Sequence, residues 1–148
     1  MSKNSNRVSV DNLSKEIMKM LTEYKEDINE EVESLSKKYV KKACAELKSI
    51  SPVSKEKVQL KKYSDGTREY QFPGSYASDW STKQKEKSTN KYSRVAYNKG
   101  YYRLTHLLEF GHINRDGTTR SKKVPHIRKT EDKYQEEFRN ELMQKIKR

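Results

Sequence analysis

Residues 9–50 read SVDNLSKEIMKMLTEYKEDINEEVESLSKKYVKKACAELKSI, and their spacing decides the fold. Ile17, Leu21, Tyr24, Ile28, Val32, Leu35, Tyr39, Ala43, Leu47 and Ile50 follow one another at steps of three or four residues. The mean step, about 3.7, is nearer to a straight α-helix than to a left-handed coiled coil. No Gly or Pro interrupts the run before Ser51-Pro52, which closes it. One continuous helix of this length spans about 60 Å. A compact domain of this size does not cover such a helix in full, so one end is expected to project or kink. A projecting amphipathic helix needs another surface to bury its stripe.

Before the helix, residues 1–8 (MSKNSNRV) are polar and expected to stay loose until assembly. After it, residues 53–100 change character. Val58 with Leu60, and Tyr70 with Phe72, alternate with polar neighbours around Ser64-Asp65-Gly66-Thr67, a hairpin signal. Pro73-Gly74 separates this hairpin from two further strands, expected at Ser78–Gln84 and Tyr92–Asn98 and joined by the loop Lys85–Asn90. Trp80, Thr82, Tyr92, Val95 and Tyr97 are their expected buried residues. Residues 101–110 (YYRLTHLLEF) read as a short helix ending at Gly111, followed by a polar loop with no pattern of its own. Beyond Pro125 comes a last helix, with Tyr134, Phe138, Leu142 and Ile146 four apart; Thr130, Glu131 and Asp132 are placed to cap its start. The class is therefore α+β: a long N-terminal helix, a small antiparallel sheet of three to four strands, a short helix and a C-terminal helix. The 148 residues fit one domain, with segments 1–8, 9–50, 53–100 and 101–148.

Only 31% of residues are hydrophobic and 36% are charged, so the core is small or shared with partners. The aromatic content is mostly Tyr, ten against three Phe and one Trp. Tyr buries its ring while the hydroxyl stays wet, which suits interfaces as well as thin cores. A net charge of +12 draws the chain toward nucleic acid or acidic partners, but the cations never condense into a run and read first as solubilising residues. The single cysteine, Cys44, excludes an internal disulfide and sits where a buried helix position is expected. No apolar run approaches a membrane span and no N-terminal signal is visible, so a soluble protein without a membrane partner is expected.

Catalytic chemistry finds little support. There is no phosphate-binding glycine loop, nucleophile elbow or HExxH. His106, Glu109 and His112, with His126 downstream, hold the ligand types of a divalent-metal site, but the turn at Gly111 breaks their common face. They read better as residues satisfying backbone groups around a turn. No catalytic, cofactor or metal residue is assigned. Glu30-Glu31 and Glu136-Glu137 read as solvated helix faces. Tyr92, Arg94, Tyr97, Lys99, Tyr101, Tyr102 and Arg103 interleave rings and cations, which suits non-specific contact with DNA; Arg94, Lys99 and Arg103 are the candidates.

Three segments carry a family resemblance: Gly74-Ser75-Tyr76-Ala77-Ser78-Asp79-Trp80; Arg103-Leu104-Thr105-His106-Leu107-Leu108-Glu109-Phe110-Gly111-His112; and Val124-Pro125-His126-Ile127-Arg128. In this order they resemble the gene-10-like tail-component family of long-tailed bacteriophages. The chain departs from that pattern in having Pro73 where Thr is usual, and in an inserted Val58–Phe72 hairpin. The resemblance covers roughly residues 74–138. It implies a non-enzymatic virion component at the head–tail junction, acting in neck assembly or tail completion as a ring around the DNA channel. Its implied partners are other connector, neck and tail proteins, and its implied place is the virion, after assembly in the host cytoplasm. Gly74, Tyr76, Trp80, Leu104, His106, Leu107, Leu108, Glu109, Phe110, Gly111, His112, Pro125, His126 and Ile127 are then architectural. On their own chemistry, the leucines and Phe110 are expected to pack the short helix onto the sheet. Gly111 is expected to supply positive φ, Glu109 to bind backbone amides, and Ile127 to point inward. The alternative is a small basic DNA-binding protein used in packaging or regulation.

Overall fold

The computed structural model describes residues 10–88 and 91–147; the expected loose segment 1–8 lies outside them, as do Thr89 and Asn90 of the expected loop. The order is α1 (Val10–Ile50), β1 (Val58–Lys62), β2 (Arg68–Gln71), α2 (Ser75–Ser78), β3 (Trp80–Ser88), β4 (Lys91–Asn98), α3 (Tyr102–Phe110) and α4 (Ile127–Ile146). The class is α+β, as the periodicities predict. The four strands form two separate antiparallel pairs, β1–β2 and β3–β4. The inserted hairpin thus keeps to itself, turning at Gly66 with φ +88° while Asp65 accepts the Thr67 amide at 2.9 Å.

Two boundaries move. Ser78 belongs not to a strand but to the single turn α2, whose Ser75 and Ser78 hydroxyls donate to main-chain oxygens at i−3. β3 starts at Trp80 and runs through Ser88, absorbing the charged residues expected in the loop. It does so with a register shift between Gln84 and Glu86. Charge does not break a strand whose faces are open to water. The expected burial in β4 is also corrected. Trp80, Ala96 and Asn98 share the inward face by register, whereas Val95 and Tyr97 alternate to the other side and stay half-exposed.

α4 packs antiparallel on the second half of α1. Glu46 meets Lys133 and Tyr134 at 2.6 Å each, Lys42 meets Glu137 at 3.8 Å, Lys38 meets Glu141 at 2.6 Å, and Glu31 meets Lys145. On the other side, Lys87 of β3 reaches Glu33 at 3.0 Å. Exposed pairs like these contribute little each, but together they set register. Leu35, Tyr39, Cys44 and Leu47 are buried under α4 and the strands, and Cys44 occupies its expected core position. The first half of α1 has no such cover. Leu35 is 2% exposed, whereas Leu21, on the same helix, is 58% exposed. The helix therefore projects beyond the body from about residue 30 back to Val10, about 30 Å at 1.5 Å per residue. Among the described residues, no helix is long and apolar enough to cross a membrane.

Candidate functional site

The three segments of the family resemblance meet in one buried knot. Tyr76 stands on the turn α2, entered through Gly74 at φ +77°, and is 1% exposed. Its ring meets Trp80 edge-on at 6.0 Å and His126 at 5.8 Å, and Trp80 meets His126 at 6.4 Å. Around them Cys44 and Leu47 of α1 complete the core, with Ala96, Tyr101, Leu104, Leu108 and Ile127 against its edge.

Every polar tip in this knot is used. The His126 Nδ1–H donates to the Val124 carbonyl at 2.7 Å, because a carbonyl can only accept. In the neutral imidazole Nε2 is then the acceptor for the Tyr76 hydroxyl at 3.0 Å. Trp80 Nε1–H donates to the Ser51 hydroxyl at 2.8 Å, and Asn98 donates to the Tyr76 carbonyl at 2.7 Å while accepting from the Tyr101 amide at 2.9 Å. Burial raises the Tyr76 hydroxyl's pKa, and the nearby Glu109 carboxylate adds to the shift. Among the described residues, no buried side-chain polar atom is left unpaired.

Glu109 is the centre of the arrangement. Its Oε2 accepts the amides of His126 at 2.9 Å and Ile127 at 3.0 Å, and Oε1 accepts that of Arg128 at 3.0 Å. These are the first amides of α4, which have no partner inside the helix. A carboxylate from another helix therefore does what a capping side chain normally does, with the helix dipole in its favour. Burial works to raise the Glu109 pKa. The three backbone amides outweigh it and hold the carboxyl below its usual value. The expected cap at Thr130 is corrected accordingly. α4 begins three residues before it, at Ile127, because Glu109 supplies the anion; Thr130 is buried in the first turn, its hydroxyl donating to His126 O at 2.9 Å.

Gly111 ends α3 at φ +70°, and a Cβ there would stand 2.9 Å from the Ser121 carbonyl. The following loop, patternless in sequence, closes on itself. Ile113 bridges Arg120, Asp116 accepts the Thr118 and Thr119 amides, and Val124 N–H returns to Leu108 O at 2.8 Å. His112 joins this loop through Ser121 at 2.8 Å, while His106 is exposed on α3 and Pro125 is exposed beside His126. Leu104, Leu107 and Leu108 are half-buried as packing residues. Phe110 is not: it is 61% exposed, because the α3 face that buries Glu109 turns the next residue outward. No group of three metal-ligating side chains occurs among the described residues.

The three candidate cations lie in different settings. Arg94 holds the Tyr92 hydroxyl at 3.3 Å at the edge of an apolar groove; Arg103 holds that of Tyr102 at 3.2 Å, with Glu69 and Tyr63 of the β1–β2 hairpin nearby; Lys99 is exposed in the turn after β4. Elsewhere cations lie over rings in several separate places, with Lys57 over Tyr70 at 3.8 Å and Phe72 at 4.9 Å, Lys61 over Tyr63 at 4.5 Å, Lys83 over Tyr97 at 4.7 Å, and Lys38 and Lys42 both over Tyr39. The groove, about 580 Å³, is floored by Val32, Val40 and Ala43 of α1 and walled by Tyr92 of β4 and by Tyr134 and Phe138 of α4.

Two parts of this arrangement escape a reading of the sequence. Asn98 signals itself only as a polar residue before Lys99-Gly100. Ser51 looks like a helix stop, yet its buried hydroxyl is the acceptor for Trp80. Compared with family models, with curated proteins and with solved structures, the chain matches none.

Proposed function

We propose that this chain is a structural protein of a tailed-phage virion, acting at the head–tail junction in neck assembly or tail completion. It would work by binding alone, as copies in a ring around the DNA channel, among other connector, neck and tail proteins. It would be made in the host cytoplasm and retained in the virion. One observation carries the reading. The three segments that resemble the phage family, separate in sequence, converge on a single knot whose polar atoms are spent on one another. Such a knot holds shape and presents no reactive group. What it holds in place is a surface rich in apolar and ring-bearing residues: the uncovered stripe of α1, the groove beside α4, and Phe72, Tyr102, Phe110 and Ile113. Assembly proteins bury such surface as neighbours arrive.

The DNA-binding alternative calls for one continuous basic face. Cations scattered among tyrosine rings on several elements favour protein contacts instead. Electron microscopy of lysates from a phage lacking this gene tests the reading. Unjoined full heads and tails, or tails with a defective end, support it. Intact infectious particles would overturn it and bring DNA binding forward.

A further inference from the structure

We infer that the groove beside α4 receives an extended segment of another protein, which adds as a third strand to the open edge of β4 and sets an acidic side chain on Arg94. The lining of the groove shows how β4 borders it. Tyr92, Ser93, Arg94, Val95 and Ala96 all line it, in unbroken succession. Side chains of a strand alternate between its two faces, so a face would contribute every second residue; an unbroken run means that β4 meets the groove edge-on. The register says which main-chain groups that edge carries. Lys99 N–H donates to Asp79 O at 3.1 Å, next to the pairs Trp80↔Asn98, Ser81↔Tyr97 and Thr82↔Ala96. Counting back by twos, Tyr97 and Val95 turn their N–H and C=O groups to β3, and Ala96 and Arg94 turn theirs away from it. Among the described residues, nothing pairs with these outward groups.

Every two-stranded pair has free edges, but this one opens onto apolar side chains. Val32, Val40 and Ala43 floor the groove, Tyr134 and Phe138 form its far wall, and each residue from Tyr92 to Ala96 is half-buried. The other edge of the pair is guarded: β3 carries exposed Lys83, Lys85 and Lys87, a residue type that deters a further strand. Arg94 adds the charge. It lies on the inward face, in phase with Ala96 and Asn98. Its Nε donates to the Tyr92 hydroxyl at 3.3 Å and its Nη2 to Gln84 Oε1 at 3.5 Å, both long and both neutral. No carboxylate among the described residues meets it, whereas Lys38, Lys42 and Lys133 around the same seam are paired with Glu141, Glu137 and Glu46. Glu131, the acid that lines the groove, stands toward the other end. Tyr134 is already level with Glu46 of α1, whereas Lys87, opposite Tyr92, is level with Glu33. A third strand puts the residue opposite Arg94 on the same face, where a carboxylate completes the guanidinium's hydrogen bonds. The residues two places to either side of it face Tyr92, Ala96 and the apolar floor. The segment therefore reads apolar, any, acidic, any, apolar.

This partner chemistry deepens the virion reading without resting on it: the deletion phenotype tests that reading, and binding in solution tests this one. The probe is the peptide acetyl-Thr-Val-Thr-Glu-Thr-Val-Thr-amide, titrated to millimolar concentration into the isotope-labelled full chain and followed by nuclear magnetic resonance. In the free protein the Arg94 and Ala96 amides are expected to exchange quickly with deuterium and those of Val95 and Tyr97 slowly; bound peptide should slow the first two. Only alternate amides of an added strand face its neighbour. N-methylation of the Val and Glu residues, or of the two Thr flanking Glu, should therefore abolish binding in one case and not in the other. Glu→Gln in the peptide should weaken binding about tenfold, the loss of one charge-assisted pair. Arg94→Gln should do the same, with no further loss when the two changes are combined. The peptide variant reads the charge without touching the fold. No binding, Arg94 and Ala96 amides already protected in the free chain, equal effects of the two N-methylated peptides, or binding indifferent to both Gln changes would each overturn the proposal.

Discussion

Glu109 shows how much one side chain can organise. Three amides of α4 rest on its carboxylate, and that helix start carries His126 into the ring cluster of Tyr76 and Trp80. Glu109→Gln keeps the shape but removes the charge and turns an N–H₂ group toward an amide donor. Hydrogen bonds to charged groups contribute about 1.5–3 kcal/mol, and the expected loss is about 2–3 kcal/mol by urea denaturation at neutral pH. The pH dependence has a definite sign. Glu109 has its pKa depressed in the folded chain, so its contribution is complete above the ordinary value of 4.5 and is lost as pH falls through the folded value. Wild type and Glu109→Gln should therefore converge in stability toward acid. A gap that stays constant down to pH 3 would show that the charge is not what matters. At this scale the sequence is readable in part: the Glu-Phe-Gly turn announces an architectural site, but nothing local tells that Glu109 faces inward and Phe110 outward.

At the scale of elements, α1 behaves as two helices in one. Leu35 and Leu21 are the same residue type in the same stripe, yet only the first is enclosed. Leu35→Ala is expected to cost about 2–4 kcal/mol, the usual range for emptying a packed site. Leu21→Ala, at an exposed position, should stay within about 0.5 kcal/mol. Parallel thermal melts of the two variants check this, and equal losses would mean that the projecting half is covered within the monomer. The β1–β2 hairpin is a second weakly held element. A lone two-stranded pair is marginal in water, and this one joins no larger sheet. Its amides are expected to exchange with deuterium well before those of β3–β4 next to Trp80. Protection equal to that of β4 in the isolated chain would contradict this.

For the whole molecule, the enclosed core is thin and much apolar surface stays open. Its enclosed hydrophobic residues are few, Leu35, Tyr39, Cys44, Leu47, Tyr76, Ala77 and Trp80 among the described residues. Tyr39, at the centre of the α1–α4 seam, has its hydroxyl donated to Glu141; that hydrogen bond, then burial, push its pKa up to about 12.

What the sequence determined by itself is everything carried by local periodicity. The 3.7-residue step from Ile17 to Ile50 specifies a helix whatever surrounds it, Asp65-Gly66 specifies a turn, and Gly111 specifies positive φ at the end of α3. The Tyr76, Glu109 and His126 segments were legible as architectural parts because their residue types suit turns and caps. Tertiary structure alone decided how those parts use one another. Thr130, with two acids behind it, is a plausible cap in isolation, and it lost that role because a carboxylate from a distant helix reached the same amides first. β3 outran its expected end because a partner strand satisfies its backbone whatever its side chains carry. Half of the α1 stripe stayed open because a periodic pattern states only that a face is apolar; what lies against that face is set by the length of α4 and the reach of the β3–β4 hairpin.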